Sequence, residues 1–218
     1  MGDQFSIDVN KLIWGENKTF SKRIGLYFGT FNPIHVGHLI IANHVVNNTP
    51  LDEVWFVVSP HNPHKKKSSL LADHHRLNLV KEAIEDNDSL RASDVEFKLP
   101  QPSYTATTLV YLQEQYPDKE FTLIMGEDNL RSLHKWRNYE EIVKNHKIIV
   151  YPRHQTIQEE ELISPQVSQA QIVVLQDVPF MDISASFIRK SIKNNVDVRY
   201  LVSDPVLKYI DEMNFYKS

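Results

Sequence analysis

The chain has 218 residues and no cysteine, with 24 Lys and Arg against 28 Asp and Glu for a net charge of −4. That length suits one globular domain with a sizeable core, and the missing cysteines exclude disulfides and thiol nucleophiles. The slightly acidic balance argues against a broad nucleic-acid-binding face, no apolar run approaches the roughly 20 residues of a membrane span, and no secretory leader is visible, so the cytoplasm is the expected compartment.

Residues 1–22 read as an N-terminal extension packed across the domain, with Leu12, Ile13 and Trp14 as its strong apolar cluster. The domain proper is expected over 23–218. A strand is predicted over residues 23–28, and a helix over 37–47 with Leu39, Ile40, Val45 and Val46 as apolar positions. Residues 53–58 form a near-continuous β-branched and aromatic run, the pattern of a buried parallel strand. A proline-, histidine- and lysine-rich loop follows, and Asp73 can cap a helix reaching about residue 85. Further strands are predicted over 90–97, 121–125, 147–151 and 171–175, with a helix over 104–115. A late helix covers 186–193, and Ser203-Asp204-Pro205 starts another whose stripe is Val206, Leu207, Ile210 and Met213. Strands alternating with helices predict an α/β domain with a mainly parallel sheet and right-handed crossovers.

The most informative stretch is Gly29-Thr30-Phe31-Asn32-Pro33-Ile34-His35-Val36-Gly37-His38, directly after the first strand. Two imidazoles three residues apart then stand where a strand ends and a helix begins. Open α/β sheets bind ligands at such carboxyl ends. The helix start offers N–H groups and partial positive charge to a phosphate, and histidine adds a donor that can become cationic near neutral pH. The same His-x-x-His spacing could be half a metal site, and Pro60-His61-Asn62-Pro63-His64 repeats it. Without cysteine or a Glu-bearing histidine motif, a protein-held metal is the weaker reading. Chemistry on a phosphate is the stronger one.

Four more clusters fall near strand ends or helix starts. In Asn62-Pro63-His64-Lys65, Pro63 restricts the backbone and can aim Lys65 at a phosphate, whereas Lys66 and Lys67 read as solvated. In Pro102-Ser103-Tyr104-Thr105, Ser103 or Thr105 can cap the helix that follows. In Gly126-Glu127-Asp128-Asn129, a short acid at a strand end can accept from ribose hydroxyls. Trp136, between Lys135 and Arg137, suits either core packing or ring stacking. In Ile183-Ser184-Ala185-Ser186-Phe187-Ile188-Arg189, either serine can cap a helix, and the Arg189 fork matches phosphate oxygens.

Residues 29–38 resemble the nucleotidyltransferase signature Gly-x-Phe-[Asp/Asn]-Pro-x-His-x-Gly-His, and residues 183–189 resemble that superfamily's second motif, Ile-Ser-[Ser/Ala]-[Thr/Ser]-x-Ile-Arg. Pro-Ser-Tyr-Thr at 102–105, Gly-x-Asp-x-Leu at 126–130 followed by Trp136, and Tyr-Pro-Arg at 151–153 look like the bacterial nicotinate-nucleotide adenylyltransferases. The resemblance spans about residues 23–216. Phe28 stands where many relatives have glycine, and Asn62 interrupts a usual Pro-Pro.

The resemblance implies a Rossmann-like doubly wound nucleotidyltransferase domain. It implies transfer of an adenylyl group from ATP to nicotinate mononucleotide, with Mg²⁺ held mainly by the ATP phosphates. Catalytic roles would fall to His38, His35, Arg189 and Lys65. ATP would be bound by Gly29, Thr30, Phe31, Gly37 and His38, by Gly126 and Asp128, and by Ile183, Ser184, Ser186 and Arg189. Lys65, Tyr104, Thr105 and Trp136 would take the mononucleotide. The expected partners are these small molecules, with no nucleic acid and no membrane, and a homo-oligomer is left open. Alternatives are a nicotinamide-nucleotide or phosphopantetheine adenylyltransferase, a cytidylyltransferase, or a non-catalytic nucleotide sensor. His35 stands where the pantetheine enzymes tend to have Thr, and no Arg-Thr precedes Ile183 as it would in a cytidylyltransferase.

Overall fold

Apolar runs become strands here because both of their faces are covered. A computed structural model describes residues 20–60, 70–152 and 171–217. The strands are β1 (Lys22–Gly29), β2 (Glu53–Val58), β3 (Leu90–Ser93), β4 (Lys119–Gly126), β5 (Lys147–Tyr151) and β6 (Ile172–Val174). They form one sheet in the order β3-β2-β1-β4-β5-β6, with every neighbouring pair parallel. The helices are α1 (Val36–Asn48), α2 (Asp73–Ile84), α3 (Thr105–Gln115), α4 (Glu127–Ser132), α5 (Tyr139–Asn145), α6 (Ala185–Lys193) and α7 (Asp204–Glu212).

Alternation along each strand divides the interior into two cores. Val54, Phe56, Ile124 and Ile149 face one side, where Ala42 and Val45 of α1, Leu79 of α2, Ile188 of α6 and Ile210 of α7 close over them. Leu26, Trp55, Leu123 and Ile148 face the other, under Leu109 of α3 and Ile142 of α5. Burial on both faces is why β2 reads as Glu-Val-Trp-Phe-Val-Val, with no polar alternation.

Several local expectations are corrected. Lys22, assigned to the extension, is the first residue of β1, and most of that extension lies outside the described residues. The third strand stops at Ser93, and Val95–Lys98 is a 3-10 turn. β3 is an edge strand, so its end has one neighbour to hold it, and the Phe97 amide bonds the Asp94 carbonyl instead. Asp73 does not cap α2: Ala72 occupies that position, and Asp73 inside the first turn pairs with Arg76. Ser203 occupies the cap position of α7, yet its buried hydroxyl has no hydrogen-bond partner among the described residues. Met213 lies beyond α7 and is exposed, while Val206 and Ile210 carry the buried stripe. The short helices α4 and α5 had no counterpart in the sequence reading, being too brief to show a helical period.

Candidate active site

The strand order reverses at β1. From β1 the chain moves outward through β2 to β3, then returns to add β4 on the other side. Ligands bind outside the carboxyl ends of strands at such a switch point. The ends are level there: Gly29 pairs with Val58, and Gly126 pairs with Tyr151. A cleft of about 900 Å³ opens at that place. Its walls are Gly29–Asn32, His35, Gly37 and His38 on one side, Gly126–Asn129 on another, and Ile183–Ser186 with Arg189 on a third. Residues far apart in sequence are thus brought together as expected.

Gly29 has no side chain because the Phe31 ring lies over it: a Cβ there would meet that ring at 2.8 Å. Phe31 has φ of 43°, a left-handed conformation costly for a bulky residue. It is held there by burial among Tyr27, Phe56 and His38, all in edge contact. Its place is therefore beneath the cleft floor more than against a ligand. Gly37 similarly makes room for His35, whose Nδ1 would lie 3.0 Å from an added Cβ; Ile183 is the next neighbour at 3.8 Å.

His35 and His38 stack with ring centroids 3.7 Å apart. The His35 amide donates to His38 Nδ1 at 3.2 Å. A nitrogen that accepts carries no hydrogen, so in the neutral ring the hydrogen belongs on Nε2 of His38, a ring that lines the cleft. His35 is buried, and burial lowers its pKa to about 4. The expectation of a cationic imidazole near neutral pH is therefore overturned for His35, because desolvation penalises the charged form. The helix start is also less open than expected: the Val36 amide donates to the Leu201 carbonyl at 3.0 Å.

Ser184 is the N-cap of α6, and its hydroxyl accepts from the Phe187 amide at 3.2 Å. Ser186 is left for Arg189, whose Nη2 donates to its hydroxyl at 3.2 Å. Nη1 of Arg189 donates to the Asn32 carbonyl at 2.7 Å. The guanidinium thus bridges the two motifs, anchored by two of its five N–H groups. On the third wall, Asp128 is exposed in the cleft. Glu127 beside it is buried and accepts from Arg131 Nη2 at 2.6 Å.

Two structural groups were missed by sequence reasoning. Arg76 is fully buried and donates to the carbonyls of Thr30, Ser59, Pro60 and Leu71. It ties the turn after β1 to the turn after β2. Glu96 is buried at 2% exposure and accepts from Ser103 at 3.2 Å and Thr108 at 2.8 Å. Ser103 therefore braces the turn before α3 and does not cap the helix; Tyr104 holds the cap position without a side-chain bond. A charged residue inside an amphipathic stretch was the only signal for either.

Tyr104, Thr105 and Trp136 do not line the large cleft. Thr105 opens α3, Trp136 is half-buried against the second core, and the Arg137 guanidinium lies 4.8 Å from the Tyr104 ring centre. Lys65 lies outside the described residues. Among the described residues no cluster of three His, Cys, Asp or Glu could cage a metal. The carboxylates lining the cleft are those of Glu127, Asp128 and Asp182. That donor set fits a divalent ion carried in on a triphosphate, not a site built by the protein alone. No helix among the described residues is long and apolar enough to cross a membrane.

A cleft at the sheet's switch point, walled by a His-x-Gly-His loop and a Ser-capped helix bearing arginine, defines a nucleotidyltransferase domain. The family described as cytidylyltransferase-like matches residues 26–191. A Flavobacterium psychrophilum protein named "Probable nicotinate-nucleotide adenylyltransferase" is 56% identical over 195 residues, covering 89% of this chain and 99% of its own. A protein of the same name from Bacteroides fragilis is 44% identical over 188 residues, covering 86% and 90%. This chain belongs to the nicotinate-nucleotide adenylyltransferase family. In fold it is similar to a Plasmodium falciparum nicotinic acid mononucleotide adenylyltransferase solved with NaAD, with a TM-score of 0.75 at 21% identity, covering 90% of this chain and 98% of that one.

Proposed function

We propose that this chain transfers the adenylyl group of ATP to nicotinate mononucleotide, giving nicotinate adenine dinucleotide and pyrophosphate in NAD biosynthesis. The observation that carries this reading is the meeting of residues 29–38 and 183–189 across one cleft, joined by Arg189 on the Asn32 carbonyl. The reaction itself asks little covalent work of the protein. A phosphate oxygen of the mononucleotide forms a bond to the α-phosphorus of ATP. The bond from that phosphorus to the bridging oxygen breaks, and its electron pair leaves with pyrophosphate. The attacking oxygen is already ionised, so no general base is required. Alignment of two polyanions and stabilisation of growing charge remain.

Each wall of the cleft has a corresponding task. The Nε2–H of His38 donates to the α-phosphate as charge gathers on its oxygens. Neutral His35 supports that ring by stacking and lends it no repelling charge. Arg189 takes the β- and γ-phosphates with the N–H groups it does not spend on Asn32 and Ser186. Asp128 accepts from the ribose hydroxyls of the nucleotide. Mg²⁺, bound mainly by the triphosphate, supplies charge neutralisation when present. The pyridine end belongs with Tyr104, Thr105 and Trp136, where the amides opening α3 suit a carboxylate better than a carboxamide. A cytoplasmic enzyme acting on small nucleotides is the matching location.

The test is pyrophosphate release with ATP and two acceptors. An amide would turn its own NH₂ toward the donors that greet a carboxylate, leaving groups unpaired. Nicotinate mononucleotide should be favoured over nicotinamide mononucleotide by at least about a hundredfold in kcat/KM. Equal values would overturn the nicotinate assignment, and no release with either would overturn the reaction.

A further inference from the structure

Asn32 is buried at 3% exposure within the first motif, in the turn between β1 and α1, and its bonds reach distant parts of the chain. Its side-chain oxygen accepts from the Tyr216 hydroxyl at 2.8 Å and from the Leu71 amide at 3.3 Å. Its main-chain oxygen accepts from Arg189 at 2.7 Å. We propose that Tyr216 is a positioning residue for the nucleotide reaction: its hydroxyl fixes Asn32, and Asn32 fixes the direction of the Arg189 guanidinium. The proposal rests on the assignment of Arg189 to the triphosphate.

Three observations beyond the single bond support it. Tyr216 lies four residues past the end of α7 and has φ of 64°, a conformation that a bulky side chain holds only when its surroundings require it. The ring packs against the first core, beside Phe215. Burial pushes the phenol well above its ordinary value, while the charges of Arg189 and Arg76 pull the other way. The hydroxyl is therefore protonated throughout the working range and remains a donor to Asn32. An arginine side chain has many rotamers, and ordering them is an entropic cost. A guanidinium already seated on a fixed carbonyl meets part of that cost before ATP arrives.

The experiment is steady-state kinetics on the full chain with Tyr216→Phe, Arg189→Lys and the double variant. Tyr209→Phe serves as control, since its hydroxyl bonds His75 and Asn78, away from the Asn32 turn. Tyr216→Phe should raise the KM for ATP about fivefold, the scale of one lost hydrogen bond, and leave the KM for nicotinate mononucleotide within about twofold. In the Arg189→Lys background the same change should add little, because coupled residues are not additive. The proposal is overturned if Tyr216→Phe leaves the ATP KM unchanged, raises both KM values alike, or multiplies the Arg189→Lys effect in full. An equal effect from Tyr209→Phe would also overturn it, since loss of any hydroxyl on this end of the chain would then suffice. If Arg189→Lys itself leaves ATP kinetics unchanged, the assignment of Arg189 fails first, and the failure is visible in that single variant.

Discussion

Burial lowers the His35 pKa to about 4, while the ring stacked on it belongs to a half-exposed histidine at the cleft. The two imidazoles therefore differ in what they contribute. His35 takes up no proton in the folded chain until the pH falls toward 4, whereas in the unfolded chain it protonates near 6.5. Between those values the unfolded state binds more protons, so stability rises with pH across that window. It should be fully present above about 6.5 and decline by as much as ~3 kcal/mol as the pH falls to 4. Denaturant unfolding of the native chain and His35→Gln at pH 5 and pH 7.5 checks this; equal pH slopes for the two would contradict it. For His38 the expected readout is catalytic. His38→Ala should lower kcat by about 10²–10³, the loss typical of one preorganised donor, and lower the melting temperature to a smaller degree, because the ring packs on Phe31 and His35 and accepts from the His35 amide. His35→Ala should cost less catalysis and more stability. A near-normal kcat for His38→Ala would remove it from the chemistry.

At the scale of elements, the 3-10 turn at Val95–Lys98 acts on α3 through one carboxylate. Glu96 receives hydroxyls from Ser103 and Thr108, so the turn that leads to Tyr104 and Thr105 is fixed from behind. Glu96→Ala takes the carboxylate away from the half-buried Ser103 hydroxyl and leaves the buried Thr108 hydroxyl only the Tyr104 carbonyl at 3.3 Å, a total cost on the order of 1–3 kcal/mol at most. We expect a lower melting temperature and a raised KM for nicotinate mononucleotide, with the KM for ATP unchanged. Isothermal titration with each substrate separates the two; parallel losses would show general loosening. The same turn shows where element-level reading from sequence fails. Residues 90–97 carry the composition of a strand, and only the first four pair with β2. Periodicity reports that a residue is buried, and Val95 and Glu96 are buried, but it does not say against what. By contrast β2, β5 and α3 matched expectation within a residue, since long apolar runs and amphipathic stretches specify their own period.

For the molecule as a whole, the two motifs and their common cleft were legible because each sits at a strand end or helix start, and the alternation of elements implied a sheet that would align those ends. Gly29 and Gly37 were expected at the ATP site; both line the cleft, and each also leaves room for a neighbouring ring. Tyr104, Thr105 and Trp136 were assigned to the mononucleotide, yet the large cleft is lined without them. Arg76, Asn32 and Tyr216 were not legible from sequence because their bonds join residues far apart in the chain, Arg76 to main-chain oxygens and Tyr216 to the Asn32 side chain, and such pairs leave no pattern in side-chain order.

That network has a consequence for how the protein is made. The turn at Asn32 is synthesised early, and its partners Arg189 and Tyr216 follow 157 and 184 residues later. β1 sits between β2 and β4, so one edge of it stays unpaired until β4 has left the ribosome. During translation the nascent chain can build the β1–β2 half early, since those pairings are local. Competence for nucleotide must wait until Arg189 and Tyr216 have been made and have docked on the Asn32 turn. Ribosome-bound fragments ending before residue 189 would then fold in part and be blind to ATP.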